Sequence, residues 1–277
     1  LSKAWNLIDR FSEDIDLALD RKFLGFDKAD NEMSASQVRK LRKQSCKYIS
    51  EKFLPQLKKT FANAGFAEVK LQLTEIKSAD EDPIKIVVNY TVLTENTAYI
   101  NPSVVIEIGS RSEKEPFSEK EFSSFVGEHF TRRNFADTPI AISTVNPERT
   151  FLEKIFLLHE GFQQPQEKIK VERQSRHLYD LERLMDTEFG IKAIADKKLY
   201  QHIVEHRKTI TPLRGIDYAN HAPEKINFIP PDDLMDTWKK DYGLMQQSMI
   251  YRESLSFDKL IIRLTELKNR INKINHG

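Results

Sequence analysis

The chain has 277 residues, 39% of them apolar and 31% charged, with 17 Phe, a composition that supports a packed core and excludes wholesale disorder. Lys and Arg number 43 against 42 Asp and Glu, a formal net charge of +1, so no global field draws the molecule to nucleic acid or membrane and an anionic partner must be met by a local patch. One cysteine, Cys46, excludes an internal disulfide, and no run approaches the ~18 uninterrupted apolar residues of a membrane span, which together point to a reducing cytoplasm.

The opening residues, LSKAWNLIDRF, lack a basic region followed by an apolar run and so do not read as a signal peptide; residues 1–9 read as helical. RFSEDIDLALD then alternates, with Glu13, Ile15, Leu17 and Leu19 on one side and Asp14, Asp16 and Ala18 on the other, the pattern of a strand with a carboxylate face. Residues 34–64 carry a long helical pattern with Val38, Leu41, Ile49, Phe53 and Leu57 in its stripe, Lys-rich positions elsewhere and Gly65 as a stop signal. Strand-like runs follow at 68–76, 84–93 and 104–108, spaced for a meander or mixed sheet. After a polar stretch and a short apolar run at 139–145, residues 147–162, 172–189 and 192–207 read as successive helices. Residues 209–233 are proline-bearing and irregular, and 255–274 form a last amphipathic helix. The fold class is α+β (α/β): a mixed β-sheet core with flanking helices, then a mostly helical C-terminal region.

Asp14 and Asp16 stand at i and i+2, which on a strand puts both carboxylates on one face, close enough to share a hard cation such as Mg²⁺; a solvated acidic strand end is the plainer alternative. In PSVVIEIGS, Glu107 shares a strand face with Val105 and Gly109 while Val104, Ile106 and Ile108 take the other. An acid in such a run is costly to bury alone, so Glu107 is a third metal ligand, a wet edge residue, or the partner of a Lys or Arg.

At this point the sequence resembles a known family. LSKAWNLIDRFSEDIDLALD closely resembles the segment that follows the Gly-Gly-Ser/Thr loop in the AbiEii/AbiGii toxin family of nucleotidyltransferases, a branch of the DNA polymerase β-like superfamily. SEDIDL looks like its D-x-D metal motif, VIEI like the strand with the third acid, PERTFLEKIFLL like its Lys-bearing helix, and SRHLYDL like its Arg and Tyr-Asp motif. The four lie in the family's order between Leu1 and about Leu184. Two positions depart: His177 stands where many members have Asp, and Gln174 where many have Arg. The glycine-rich loop, whose backbone N–H groups cradle phosphate, is expected just upstream of Leu1.

The resemblance implies a nucleotidyltransferase-like catalytic core over 1–145 and a helical domain over 146–277 that contributes to the nucleotide cleft. It implies that Asp14, Asp16 and Glu107 bind Mg²⁺ (or Mn²⁺), that Lys154 binds the triphosphate of an NTP substrate, and that Arg176 and Asp180 shape the cleft. Ser2 and Lys3 are further phosphate-side candidates. It also implies the toxin of a toxin–antitoxin or phage-defence pair, with RNA, the tRNA 3′ end in several relatives, as acceptor and a separate antitoxin protein as partner. Modification of a protein or small molecule, or nucleotide and RNA binding without catalysis, are the alternatives.

Read without the resemblance, Lys154 falls inside the apolar arc of its helix, where snorkelling is the competing account. Arg176, Asp180 and Arg183 gather at i, i+4 and i+7 opposite the stripe of Leu178, Leu181 and Leu184, as a surface ion-pair ladder would. His202 and His206 at i, i+4 lack an obvious third ligand for zinc, and Cys46 reads as an inert thiol. The cations of QVRKLRKQSCK and ERQSRH line a path for RNA or are solvated faces.

Overall fold

The computed structural model describes residues 1–12, 14–91, 103–110, 116–131 and 137–274. Contacts divide the chain into two compact units that interleave along the sequence: Ser12–Glu113 with Val204–Arg214, here the sheet unit, and Leu1–Phe11 with Lys114–Ile203 and Gly215–Gly277, here the helical unit.

In the sheet unit the alternating acidic segment forms β1 (Asp14–Ala18), and the apolar runs form β2 (Lys70–Leu73), β3 (Ile84–Asn89) and β4 (Ser103–Gly109). They make one sheet in the order β1-β4-β3-β2, with β1 parallel to β4 and the other pairs antiparallel, the mixed alternative of the two read from spacing. Residues 34–64 form α1 (Ala35–Tyr48), a wider π turn at Ile49–Phe53 and α2 (Leu54–Asn63). Ser34 and Gln37 cap each other at the start, with Gln37 N–H donating to Ser34 Oγ at 3.3 Å and Ser34 N–H to Gln37 Oε1 at 2.9 Å. The π turn lies where Pro55 has no N–H to donate back to Glu51 and its ring crowds that carbonyl. At the end Gly65 turns left-handed, φ +87°, and Phe66 N–H reaches back to Phe61 O at 2.9 Å.

One side of α1 and α2 covers one face of the sheet: Cys46, Ile49 and Leu54 pack with Leu71, Ile84, Ile86, Ile106 and Ile108. Each such side chain, fully buried, contributes ~1.5–3 kcal/mol. The opposite face carries Asp14, Asp16, Lys85 and Glu107, with the half-buried Val87 and Val105 among them. The segment Val204–Arg214 is tied into this unit by Asp30, which lies 2.5 Å from His206 Nδ1 and 2.5 Å from Arg21 Nη1, by Arg42 donating to the Ile210 carbonyl at 2.7 Å, and by Ile210 packing with Met33, Val38 and Leu41.

The helical unit starts with residues 1–9, which are not helical as expected: Asn6 takes φ +50° and the chain turns before Arg10 bridges to Ile250. Asn tolerates the left-handed region that ends a helix. The polar stretch hides β5 (Phe117–Phe122), which pairs with β6 (Ile140–Val145), and the short α3 (Phe125–His129). Helix α4 (Pro147–Phe162) has the expected limits. The pattern over 172–189 splits into α5 (Ser175–Leu184) and α6 (Glu188–Ala195), because Thr187 Oγ1 accepts from Gly190 N–H at 3.2 Å and starts a new helix. Asp196 does the same for α7 (Lys197–Thr209), accepting from Leu199 N–H at 2.9 Å. After 3₁₀ turns between Tyr218 and Leu234 come α8 (Met235–Ser248) and α9 (Phe257–Asn272), packed with α5 around Trp238, Tyr242, Met245 and Leu264.

Candidate active site

The sheet unit presents the acids. Strand β1 is an edge, and its register sets Asp14 opposite Val105 and Asp16 opposite Glu107. Parallel partners point to the same side, so Asp16 and Glu107 are neighbours across the ladder and Asp14 lies one step along it. Asp14 is half-buried and Asp16 exposed; Ile106 and Ile108, on either side of Glu107, face the core, whereas their partners Ile15 and Leu17 on the edge strand are exposed. On the next strand Lys85 stands opposite Glu107, with Nζ 2.5 Å from Oε1, so the third acid is paired to a lysine, one of the partners open to it from sequence. Among the described residues no three Asp, Glu, His or Cys side chains converge as a ready-made metal cluster. The donors on this face are nevertheless all carboxylate oxygens, which fit Mg²⁺ or Mn²⁺ and not zinc.

The helical unit holds a different arrangement. Asp180, on α5, is fully buried and takes a two-pronged bond from Arg10, whose Nε and Nη2 lie 2.7 and 2.7 Å from Oδ1 and Oδ2. Lys154, on α4, brings Nζ to 3.0 Å from Asp180 Oδ2 and 3.3 Å from His177 Nδ1. Burial would push the Asp180 carboxyl up, but Arg10 and then Lys154 outweigh it and hold it well below the ordinary carboxylate value. Burial, reinforced by the Lys154 charge, holds His177 well below the usual imidazole value, so the ring is neutral and its Nδ1 accepts from the ammonium. Beside this group Asp9 pairs with Arg183 at 2.8 Å and its N–H donates to Tyr179 Oη at 3.2 Å.

The surface ladder expected of Arg176, Asp180 and Arg183 is therefore not formed. Asp180 turns inward to Arg10 and Lys154, and Arg183 goes to Asp9. Nor does Lys154 snorkel, since its ammonium ends on a buried carboxylate. Arg176 is half-buried in the first turn of α5, whose N-terminus is capped by Asp241 accepting from the N–H groups of Arg173 at 2.7 Å and Ser175 at 3.0 Å. Ser2 is buried, and Lys3 is 2.6 Å from Glu128 and 3.9 Å above the Phe125 ring. His206 is engaged with Asp30.

Compared with known families, residues 1–263 match the one described as Nucleotidyl transferase AbiEii toxin, Type IV TA system. The chain belongs to this family. It is thus a nucleotidyltransferase of the toxin–antitoxin type, for which a nucleoside triphosphate is the substrate. No curated protein and no solved structure matches it. Among the described residues no helix is long and apolar enough to cross a membrane.

Within this AbiEii-family chain, two residues that shape the arrangement escaped sequence reasoning. Arg10 is one; its signal was the charged pair Asp9-Arg10 between apolar Ile8 and Phe11, which answers the pair Asp180 and Arg183 on α5. Lys85 is the other. As the only cation in IKIVV it falls on the Glu107 face as soon as β3 and β4 are paired antiparallel, a register that sequence alone did not fix.

Proposed function

We propose that this nucleotidyltransferase moves a nucleoside monophosphate from an NTP to an RNA acceptor, the 3′ end of tRNA, and acts as a toxin in phage defence that a separately encoded antitoxin restrains. The observation that supports it best is the register of Asp16 against Glu107, with Asp14 on the same solvent-facing side of the sheet, in a chain of this family. We infer that these three acids hold Mg²⁺ or Mn²⁺. The cation, when bound, supplies charge neutralisation at the α-phosphate and acidifies the acceptor hydroxyl.

The chain's own groups do the rest. Asp14 or Asp16, whichever meets the acceptor, takes the hydroxyl proton as the acceptor oxygen bonds to the α-phosphorus; the bond from that phosphorus to the bridging oxygen breaks and pyrophosphate leaves. Lys154 neutralises the β and γ phosphates. Asp180 and His177 use two of its three N–H groups, which fixes the ammonium and leaves one to donate. Arg176 and Asp180 shape the nucleotide cleft, and Ser2 and Lys3 are the remaining phosphate-side groups.

The test is to incubate the full-length protein with Mg²⁺, each α-labelled NTP and total RNA, beside Asp16→Asn. Label on a discrete RNA band, absent with the variant, is the expected result. Label on protein or a small molecule with RNA unlabelled would replace the acceptor, and turnover retained by Asp16→Asn would remove the carboxylates from the mechanism.

A further inference from the structure

Residues 37–60 contain eight Lys and Arg against a single Glu, a net of +7 in a chain whose total is +1. On α1 the buried side is Val38, Leu41, Ser45 and Cys46, and the exposed side carries Lys40, Lys43 and Lys47. Spaced at i, i+3 and i+7, these three share one narrow face and cover about 10 Å of helix, the length of about three stacked nucleotides. Arg39 is occupied by Asp80 at 3.2 Å, whereas among the described residues no carboxylate is paired with Lys40, Lys43 or Lys47. Farther along, Lys58 of α2 and Lys70 of β2 line an open depression with Phe61 and Phe66, and Phe66 is 54% exposed.

We propose that the outer side of α1 and α2 is a track for the phosphate backbone of RNA, with Phe66 as a stacking surface for a base. The cations alone would suit any polyanion. An exposed ring in the same depression as two lysines favours RNA over an acidic protein, because a nucleotide offers a π-face and a phosphate together. The helices lie on one face of the sheet and Asp14, Asp16 and Glu107 on the other, so the track holds the body of an RNA, not its reacting end. A helix packed about 10 Å from a sheet, with its side chains beyond, separates track and acids by more than about 15 Å. The inference rests on the RNA-acceptor reading and assigns the residues that would select a long acceptor over a short one.

The test measures binding of a 5′-labelled RNA oligonucleotide by fluorescence anisotropy, in EDTA and without NTP, across a NaCl series from about 50 to 200 mM. The triple variant Lys40→Gln, Lys43→Gln, Lys47→Gln is expected to bind about 10- to 100-fold more weakly and to lower the slope of log affinity against log salt by about 2, near 0.7 for each lost phosphate contact. Phe66→Ala is expected to weaken binding about 10-fold with the slope unchanged. All four positions are exposed, so the thermal midpoints are expected to stay at the wild-type value. A control triple at Lys225, Lys240 and Lys259 should leave affinity intact. Absence of RNA binding, an unchanged slope in the triple variant, an equal loss in the control, or polyglutamate binding in preference to RNA would each overturn the proposal. Catalysis plays no part in this readout: lysine-dependent binding with no labelled RNA product would leave the track standing and remove the acceptor assignment alone.

Discussion

Asp16 and Asp180 are the same residue type in two of the family's motifs, and the two units treat them in opposite ways. Asp16 is exposed on an edge strand beside other acids, with its charge facing water. Asp180 is fully buried and answered by two cations at 2.7 and 3.0 Å. A buried carboxylate already answered by two cations gains little from a further one, whereas an exposed carboxylate with other acids beside it on the sheet gains more from a cation that arrives. On the proposed reading the motifs mix groups that meet a ligand with groups that hold others in place, and burial separates the two kinds.

Replacing Asp180 is the sharpest way to break this comparison. Asp180→Ala leaves Arg10 buried without its carboxylate and is expected to cost ~3–5 kcal/mol in urea unfolding. Asp16→Ala, at an exposed site, should change stability by no more than about 0.5 kcal/mol. Equal losses from the two would show that the edge strand is as dependent on its acid as α5 is. The contrast also has a pH signature. Because the folded Asp180 carboxyl lies below its unfolded value near 4, its contribution is full above that value and is lost as pH falls through the folded one. The stability gap between wild type and Asp180→Asn is expected to be flat from about pH 7 to 5 and to narrow steadily below about pH 4; a gap that widened on acidification would mean that the carboxyl is protonated in the native state.

The sheet unit also depends on a close approach at the end of β4. A Cβ on Gly109 would sit 2.4 Å from Asp82 Oδ1 and 3.1 Å from Pro83 Cβ, and Asp82 is itself held by Ser110, whose N–H and Oγ donate to Oδ2 at 3.0 and 2.6 Å. Gly109→Ala is expected to destabilise by ~1–3 kcal/mol, seen as a lower thermal midpoint, and to disturb Glu107 two residues away on the same strand. An unchanged midpoint would show that the 82–83 segment yields easily.

Much of this was legible in the sequence because it is periodic. The alternation around Asp14 and Glu107 told which side chains share a sheet face, though not that Ile15 and Leu17 of the edge strand stay exposed, and the stripe of α4 gave its limits. What stayed hidden was set by single polar contacts. Thr187 and Asp196 divide what reads as long helices, and FSEKEF is a strand with too little apolar content to announce itself. The inward turn of Asp180 could not be read from its helix, since an acid opposite an apolar stripe is exposed by default; the partner that buries it, Arg10, comes from 170 residues earlier in the chain.

The smallest expected effect bears most directly on the acids. Lys85 and Glu107 form a half-exposed pair, worth at most about 1 kcal/mol, so Lys85→Gln should barely move the unfolding midpoint. On the proposed reading the lysine competes with a divalent cation for the same carboxylate. Removing its charge frees Glu107 and deletes a like charge beside the cation, so Mn²⁺ affinity, followed by its electron spin resonance signal, should rise about 3- to 10-fold, or roughly 1 kcal/mol. Glu107→Gln should lower that affinity instead, and adding Lys85→Gln to it should recover only the part due to the like charge, a smaller gain than in the wild-type background, because the lysine then has no carboxylate to withhold. If Lys85→Gln leaves Mn²⁺ binding unchanged while Asp16→Asn abolishes it, the cation is held by Asp14 and Asp16 without Glu107, and the third acid belongs to the sheet's own ion pairing.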